Sequence, residues 1–289
     1  RVDEPQGLID TKEKKDSIIQ NILNAGRINN FNQTASVNYQ IPINKIPLLN
    51  WISANARYAS TFSWVAPALS LQRLGNTIEN SNTKQFNTTL NMQTLYNKVP
   101  YIKKIMQEQN TSNKNSKVNK PKTQTPKDKN KNKNKADADT TAQKVDTAKS
   151  ILDNTLKVLT MVKNVTFSYT EGNGITLPGF MNTPVYFGNN PSINSPGWDY
   201  VFGAQNDIVK QAQLKEWISK DSLFNSPYLV KYNQNINVRA TVEPVKDFKI
   251  ELTANRTYTE NRSAYIKADS NGVYNEYSPQ TNGSFSITF

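Results

Sequence analysis

Polar and apolar residues alternate along much of this chain with a period of two. In "FNQTASVNYQI" (31–41), Phe31, Ala35, Val37, Tyr39 and Ile41 share one side, with Gln33 the exception, while Asn32, Thr34, Ser36, Asn38 and Gln40 share the other. Side chains alternate across a strand, so this run predicts a half-buried β-strand. In "WISANARYASTFSW" (51–64), Ile52, Ala54, Ala56, Tyr58, Phe62 and Trp64 oppose Ser53, Asn55, Arg57, Thr61 and Ser63. "TKQFNTTLNMQ" (83–93) sets Phe86, Leu90 and Met92 against Gln85, Asn87, Thr89, Asn91 and Gln93. A fourth strand, "NVTFSYT" (164–170), sets Val165, Phe167 and Tyr169 against Asn164, Thr166, Ser168 and Thr170. In a fifth, "YNQNINVRATV" (232–242), Ile236, Val238, Ala240 and Val242 oppose Asn235, Asn237, Arg239 and Thr241. In a sixth, "FKIELTANRTY" (248–258), Phe248, Ile250, Leu252, Ala254 and Tyr258 oppose Lys249, Glu251, Thr253, Asn255 and Thr257. "GSFSITF" (283–289) begins a seventh.

Helical spacing is confined to short stretches. In "DTKEKKDSIIQNILNAG" (10–26), Asp10 and Glu13 form an expected capping box, Ile18, Ile19, Ile22 and Leu23 an apolar stripe, and Gly26 a stop. Ala148, Leu152, Leu156 and Leu159 share a helical face, and "QNDIVKQAQLKEWISK" (205–220) holds one more short helix. Gly, Pro and Asn crowd residues 172–229, which read as a long loop, and Pro244 marks a tight turn in "EPVKD". The expected order is a helical segment at 1–28, strands one to three within 29–96, and an insert at 97–162. Strands four to seven follow within 163–289, with loops at 172–229 and 259–282.

Composition narrows the chemistry. The 289 residues contain no Cys and no His, which removes thiol nucleophiles, imidazole bases, disulfides and the usual zinc sites. No clustered acidic motif or acid/base pair stands out, so neither an enzyme, a metal nor a cofactor is expected. Net charge is +12, but thirteen Lys against five acids between Lys103 and Lys149 supply +8 of it. That excess lies mainly in "KPKTQTPKDKNKNKNKADAD", within an Asn- and Lys-rich linker at about 108–139. Such a run reads as a solvated linker, and it lacks the interleaved aromatics on which bases stack, so nucleic acid is not the expected partner.

Several strands run about ten residues or more, against a usual ~5–6 in soluble proteins. A tilted strand needs about 9–11 residues to cross a bilayer. Phe31, Tyr39, Trp51, Phe62, Trp64, Phe248 and Tyr258 stand near strand ends, where an outer-membrane barrel carries aromatic girdles. The pattern therefore predicts an all-β protein: an antiparallel transmembrane β-barrel segment with long loops and short helical inserts. Seven strands cannot close a bacterial barrel, which needs about eight, so a partial barrel is expected. The expected lipid-facing residues are Val37, Tyr39, Ala54, Tyr58, Phe86, Leu90, Val165, Phe167, Ile236, Val238, Ile250 and Leu252. The expected lumen-facing residues are Asn38, Asn55, Arg57, Asn87, Asn91, Thr166, Asn237, Arg239, Thr253 and Asn255. Short links at 43–50 and 243–247 suit the periplasmic side, where the insert also falls, and long loops at 172–229 and 259–282 the exterior. In "SPGWDYVFG", Trp198, Tyr200 and Phe202 need cover from water, so this loop is expected to fold over the barrel mouth or contact a partner.

Five longer stretches are more specific: "GLIDTKEKKDSIIQNILNAGRINNFNQTASVNYQIPINKIPLLNWI", "LGNTIENSNTKQFNTTLNMQTLYNKVPYIKKI", "NVTFSYTEGNGITLPGF", "SPGWDYVFGAQ" and "ATVEPVKDFKIELTANRTYTEN". Together they resemble the SprA/Sov family, the outer-membrane translocon of the type IX secretion system of Bacteroidota. The likeness runs from about Gly7 to Phe289 apart from the lysine-rich insert. It implies a piece of a very large protein-conducting barrel in the cell outer membrane, in a family also linked to gliding motility. It further implies secreted protein substrates and, as partners, a shuttle β-barrel, a periplasmic plug protein and the secretion motor. The alternatives are another outer-membrane barrel, a receptor or porin, and a soluble β-sandwich adhesin.

Overall fold

A computed structural model describes residues 8–23, 28–115, 142–245 and 247–289. Its centre is one antiparallel sheet of seven strands in chain order. They are β1 (Asn30–Ile41), β2 (Ile52–Val65), β3 (Asn76–Asn91), β4 (Val162–Phe180), β5 (Pro227–Val245), β6 (Phe248–Ala268) and β7 (Tyr274–Thr288). Each strand pairs only with its neighbours in the chain, so the sheet is an up-and-down meander. It does not close on itself: β1 and β7 are its two edges.

β1 and β2 lie within a residue of their expected bounds, whereas β3, β4 and β6 are much longer. The expected loop at 172–229 shrinks to 181–226, because β4 continues through Gly172, Gly174 and Pro178. Beside Gly172 the Asn233 amide of β5 takes the space of a side chain: a Cβ on Gly172 would lie 2.2 Å from Asn233 Oδ1. The expected loop at 259–282 shrinks to residues 269–273. That turn is built on Asp269, whose carboxylate accepts the N–H groups of Asn271 at 2.8 Å and Val273 at 2.9 Å, with Gly272 at φ 78°. At the other limit, Met92 and Gln93 leave the sheet and open a helix.

The helices gather at loops. α1 (Lys12–Leu23) is capped by Thr11, whose Oγ1 accepts the Lys14 N–H at 3.4 Å, rather than by the expected Asp10, which pairs with Lys14 instead. The expected stop at Gly26 lies outside the described residues, as does 116–139 of the linker expected at about 108–139, whose first residues, 108–115, instead continue a helix. α2 (Met92–Lys98) starts on Asn91, which accepts the Thr94 N–H, and buries Tyr96, whose hydroxyl donates to the Leu159 carbonyl at 2.7 Å. α3 (Pro100–Asn115) and α4 (Ala142–Thr160) complete this end of the sheet. No described helix is long and apolar enough to cross a membrane.

The C-terminal ends of β1, β3 and β5, where links one, three and five (42–51, 92–161 and 246–247) begin, lie at one end of the sheet. Links two, four and six (66–75, 181–226 and 269–273) lie at the other. With link six reduced to a tight turn, loop length no longer separates the ends as expected; each carries one long connection.

Link four folds into a compact cap with two short helices, α5 (Trp198–Val201) and α6 (Ile208–Leu214), the latter capped by Asp207. Its tail returns to β4: the Met181 N–H donates to the Trp217 carbonyl, and the Ser219 N–H to the Gly179 carbonyl, both at 2.7 Å. Phe180 meets Trp217 edge-on at 6.0 Å and Phe62 meets Tyr200 likewise at 6.1 Å. Phe62, Trp64, Ile78, Ile175 and Leu177 from the strands, with Val201, Ile208 and Ala212 from the cap, form the main buried core.

Where the chain enters β3 and leaves β4, Gly75 (φ 82°) abuts Gly179 (φ 79°), and a Cβ on Gly75 would sit 2.5 Å from the Gly179 carbonyl carbon. Gly75→Ala is expected to lose about 1–3 kcal/mol from its positive-φ, extended backbone (φ 82°, ψ 170°) alone, with the clash adding to that. Gly174→Ala, whose Cβ meets nothing nearer than 3.6 Å, is the control. Equal shifts of the two denaturation midpoints would sink this packing argument.

Candidate functional site

The sheet register sorts the strand residues onto two faces. Rows crossing β2 to β6 align Ile52, Leu90, Val165, Ala240 and Leu252, then Ala54, Thr88, Phe167, Val238 and Ala254, then Ala56, Phe86, Tyr169, Ile236 and Arg256. Val37 pairs with Tyr58, Tyr39 with Ala56, and Ile250 with Val242, so all the residues expected to face lipid share one face. Directly opposed residues lie on the same side of an antiparallel pair. The other face aligns Asn55, Asn87, Ser168, Asn237 and Asn255 in one row and Ser53, Thr89, Thr166, Arg239 and Thr253 in the next. Asn38 pairs there with Arg57, and Asn91 with Asn164. The residues expected to face the lumen are therefore also together.

This polar face keeps its character over the whole sheet, through Ser81, Thr83 and Gln85 on β3 and Thr257, Thr259 and Asn261 on β6. Neutral side chains bond across strands: Ser168 Oγ donates to Asn87 Oδ1 at 2.6 Å, and Asn237 Nδ2 to Asn255 Oδ1 at 2.8 Å. Thr259 and Ser284 hydroxyls meet at 2.7 Å.

The apolar face is divided into three zones, which the alternating pattern did not reveal. The first is a bare band from Phe248 and Ile250 up to the row of Phe86 and Ile236, where Leu252 is 56% exposed and Phe167 and Val238 are half-buried. Ala54, also expected to face lipid, is instead buried there, 4% exposed.

Next comes a polar belt. Lys84 Nζ lies 2.9 Å from Glu171 Oε1, which also accepts Asn173 Nδ2 at 3.0 Å, while Tyr169 donates to Glu171 Oε2 at 2.6 Å. Gln234 Nε2 donates to the Tyr169 hydroxyl at 3.3 Å, and Arg256 donates to Gln234 Oε1 at 2.5 Å. One connected network thus crosses β3 to β6. Lys84 and Arg256 stand in alternating runs whose same-side neighbours are apolar, so their charge was the available signal.

Above the belt the cap covers the same face. Asn80, fully buried, donates to the carbonyls of Tyr200 at 2.9 Å and Ala204 at 2.8 Å and accepts Gln205 Nε2 at 3.0 Å. Asn82 donates to the Gly203 carbonyl at 2.6 Å and Tyr58 to the Phe202 carbonyl at 2.7 Å. The cap therefore lies against the side of the sheet and does not fold across the polar face. Phe31, Phe62 and Trp64, expected in a girdle, belong instead to its packing. Of the expected contact residues, Tyr200 is buried in this core with its hydroxyl on the Ile175 carbonyl at 3.3 Å, whereas Trp198 and Phe202 are exposed. Burial pushes the Tyr200 hydroxyl well above the usual phenol range, so it stays a neutral donor.

No family model matches the chain, and no curated protein matches it either.

Asn80→Ala would take one of two donors from the Tyr200 carbonyl, which keeps the Gly203 N–H at 3.0 Å, and remove the amide that meets the Ala204 carbonyl, a loss of about 1–3 kcal/mol for a carbonyl so stranded. The expected result is faster proteolysis within 181–226 while the strands stay protected. Unchanged cleavage of the cap would mean that Asn80 does not hold it.

Proposed function

We propose that this chain is a wall segment of a transmembrane β-barrel in the cell outer membrane, with the amide-rich face toward an aqueous lumen and the bare band toward lipid. The observation that carries the reading is the ending of the band at the belt. Ten residue steps separate Phe248 from Tyr258 on β6, about 33 Å of strand, or about 25 Å of height at a tilt of about 40°. That height matches the apolar band of an outer-membrane barrel. Lys84, Glu171 and Arg256 then stand at the headgroup level, and the strands with their cap project beyond it. Polar rows with Arg57 and Arg239 would be costly against hydrocarbon, which supports this sense of the two faces.

The work of such a wall is passage rather than catalysis. A broad face of Asn, Ser and Thr offers water-like hydrogen bonding with little net field, which suits the transit of protein chains of varied charge. With the resemblance to the SprA/Sov family, this supports part of a protein-conducting translocon of the type IX system. Secreted proteins are its substrates; a shuttle barrel, a plug protein and the secretion motor are its partners. The cap favours one competing reading, a soluble sheet protein whose bare band is covered by a further domain. That reading expects a monodisperse preparation without detergent.

Leu252→Lys, near the middle of the band, should lower barrel stability by about 2–4 kcal/mol, and Thr253→Lys on the opposite face by little. Urea unfolding in lipid vesicles measures both; equal or reversed costs would exclude this membrane assignment. Asn91→Lys is not a neutral control, because Asn91 caps α2.

The cap end is proposed to face the exterior. Ser195 is buried and accepts a hydrogen bond from Asn182, so it cannot report on sidedness. Exposed Ser192 and Asn44 can. An impermeant thiol reagent on intact cells should label Ser192→Cys and spare Asn44→Cys; the opposite labelling would invert the topology.

A further inference from the structure

We infer that the cap rests on the outer leaflet of the bilayer, with Trp198 and Phe202 as its interfacial anchors. The inference depends on the barrel reading above. The two residues flank buried Tyr200 on α5, and their rings stack at 6.3 Å with 20° between planes. Both are displayed to the outside, Trp198 41% and Phe202 46% exposed. The backbone beneath them is fastened at three points: the carbonyls of Tyr200, Phe202 and Gly203 accept from Asn80, Tyr58 and Asn82. A stacked pair held on so firm a base is a presented surface rather than a loosely folded loop.

Its level identifies what it meets. The Phe202 carbonyl is bonded to Tyr58, and Tyr58 stands in the row of Lys84 and Glu171, where the band ends. Beside Tyr58 on β1 are Val37, 65% exposed, and Tyr39, 57% exposed. The exposed aromatics therefore continue the apolar band at its outer edge, on the same side of the sheet. Indole and phenol rings favour the headgroup level, where an apolar body and a polar edge are both satisfied. A lipid interface fits this continuity better than a protein partner, which would have to approach through the leaflet adjoining the band.

The barrel containing this chain, reconstituted in phosphatidylcholine vesicles brominated near the top or near the end of the acyl chains, tests this by tryptophan quenching. The emission of Trp198 is obtained by difference from Trp198→Phe. Because indole seats at the headgroup level, shallow bromine should quench it about twofold more than deep bromine. A tryptophan introduced by Val238→Trp, in the band, serves as reference and should be quenched most by deep bromine. Quenching of the reference without quenching of Trp198 would overturn the anchor and leave the barrel intact, pointing to a protein partner for the pair. If neither is quenched, both the anchor and the barrel reading fail.

Discussion

Everything distinctive about this sheet depends on its register. A strand turns successive side chains to opposite sides, so a slip of one residue between any two strands would exchange amides for aliphatic groups on the far side. From the row of Ile52 and Leu252 up to the belt the pairing of β2 to β6 keeps one register; the shifts fall outside that span, at Val162/Asn164 on β4, Val242/Val245 on β5 and Asn76/Thr77 on β3. Five strands thereby contribute matching rows of Asn, Ser and Thr to one side and Val, Leu, Ile and Phe to the other. The register also aligns Lys84 with Glu171 and Gln234 with Tyr258, which places the belt at one height. A face divided into band, belt and cap is possible only because each strand changes character at the same level.

That change of character explains what the sequence revealed and what it concealed. Alternation is visible where one face is apolar and the other polar, as in 31–41, 51–64, 164–170 and 248–258. Past the belt the alternation is interrupted: β3 places Asn80 and Asn82 on the same side as buried Ile78, and β6 places Glu260 and Arg262 on the side of Ala264 and Ile266. The period-two signal vanishes there although the strand does not, because pairing on both sides holds the backbone regardless of side-chain propensity. The strands themselves reach 21 residues in β6.

The cap was legible in part. Asp207 before "IVKQAQL" announced α6, since a short acceptor ahead of an apolar run is a start signal. The Asp-Ser-Asn-Gly stretch at 269–272 carried a turn signal that the preceding polar residues obscured. What no local pattern discloses is that Asn80 and Asn82, two amides amid a polar strand, meet carbonyls more than a hundred positions away. Their role comes from the register, which lifts them to the height where link four folds back.

The two edges of the sheet fit the proposed reading of it as part of a wall. β1 and β7 each offer one row of backbone groups without a partner strand. In water such edges are tolerable when short or charged, but in hydrocarbon each unpaired N–H or C=O costs several kcal/mol. Val37 and Tyr39 on β1, and Phe285 and Ile287 on β7, are apolar and exposed at those edges. Neither edge is protected by a charge within these stretches. If the band lies in a bilayer, both edges must be paired by further strands, and the lumen then becomes wider than seven strands alone could enclose. Under the proposed membrane reading, the edges of the sheet that carries this amide-rich face, with Arg57 and Arg239 among its rows, would lie unpaired in hydrocarbon unless further strands met them.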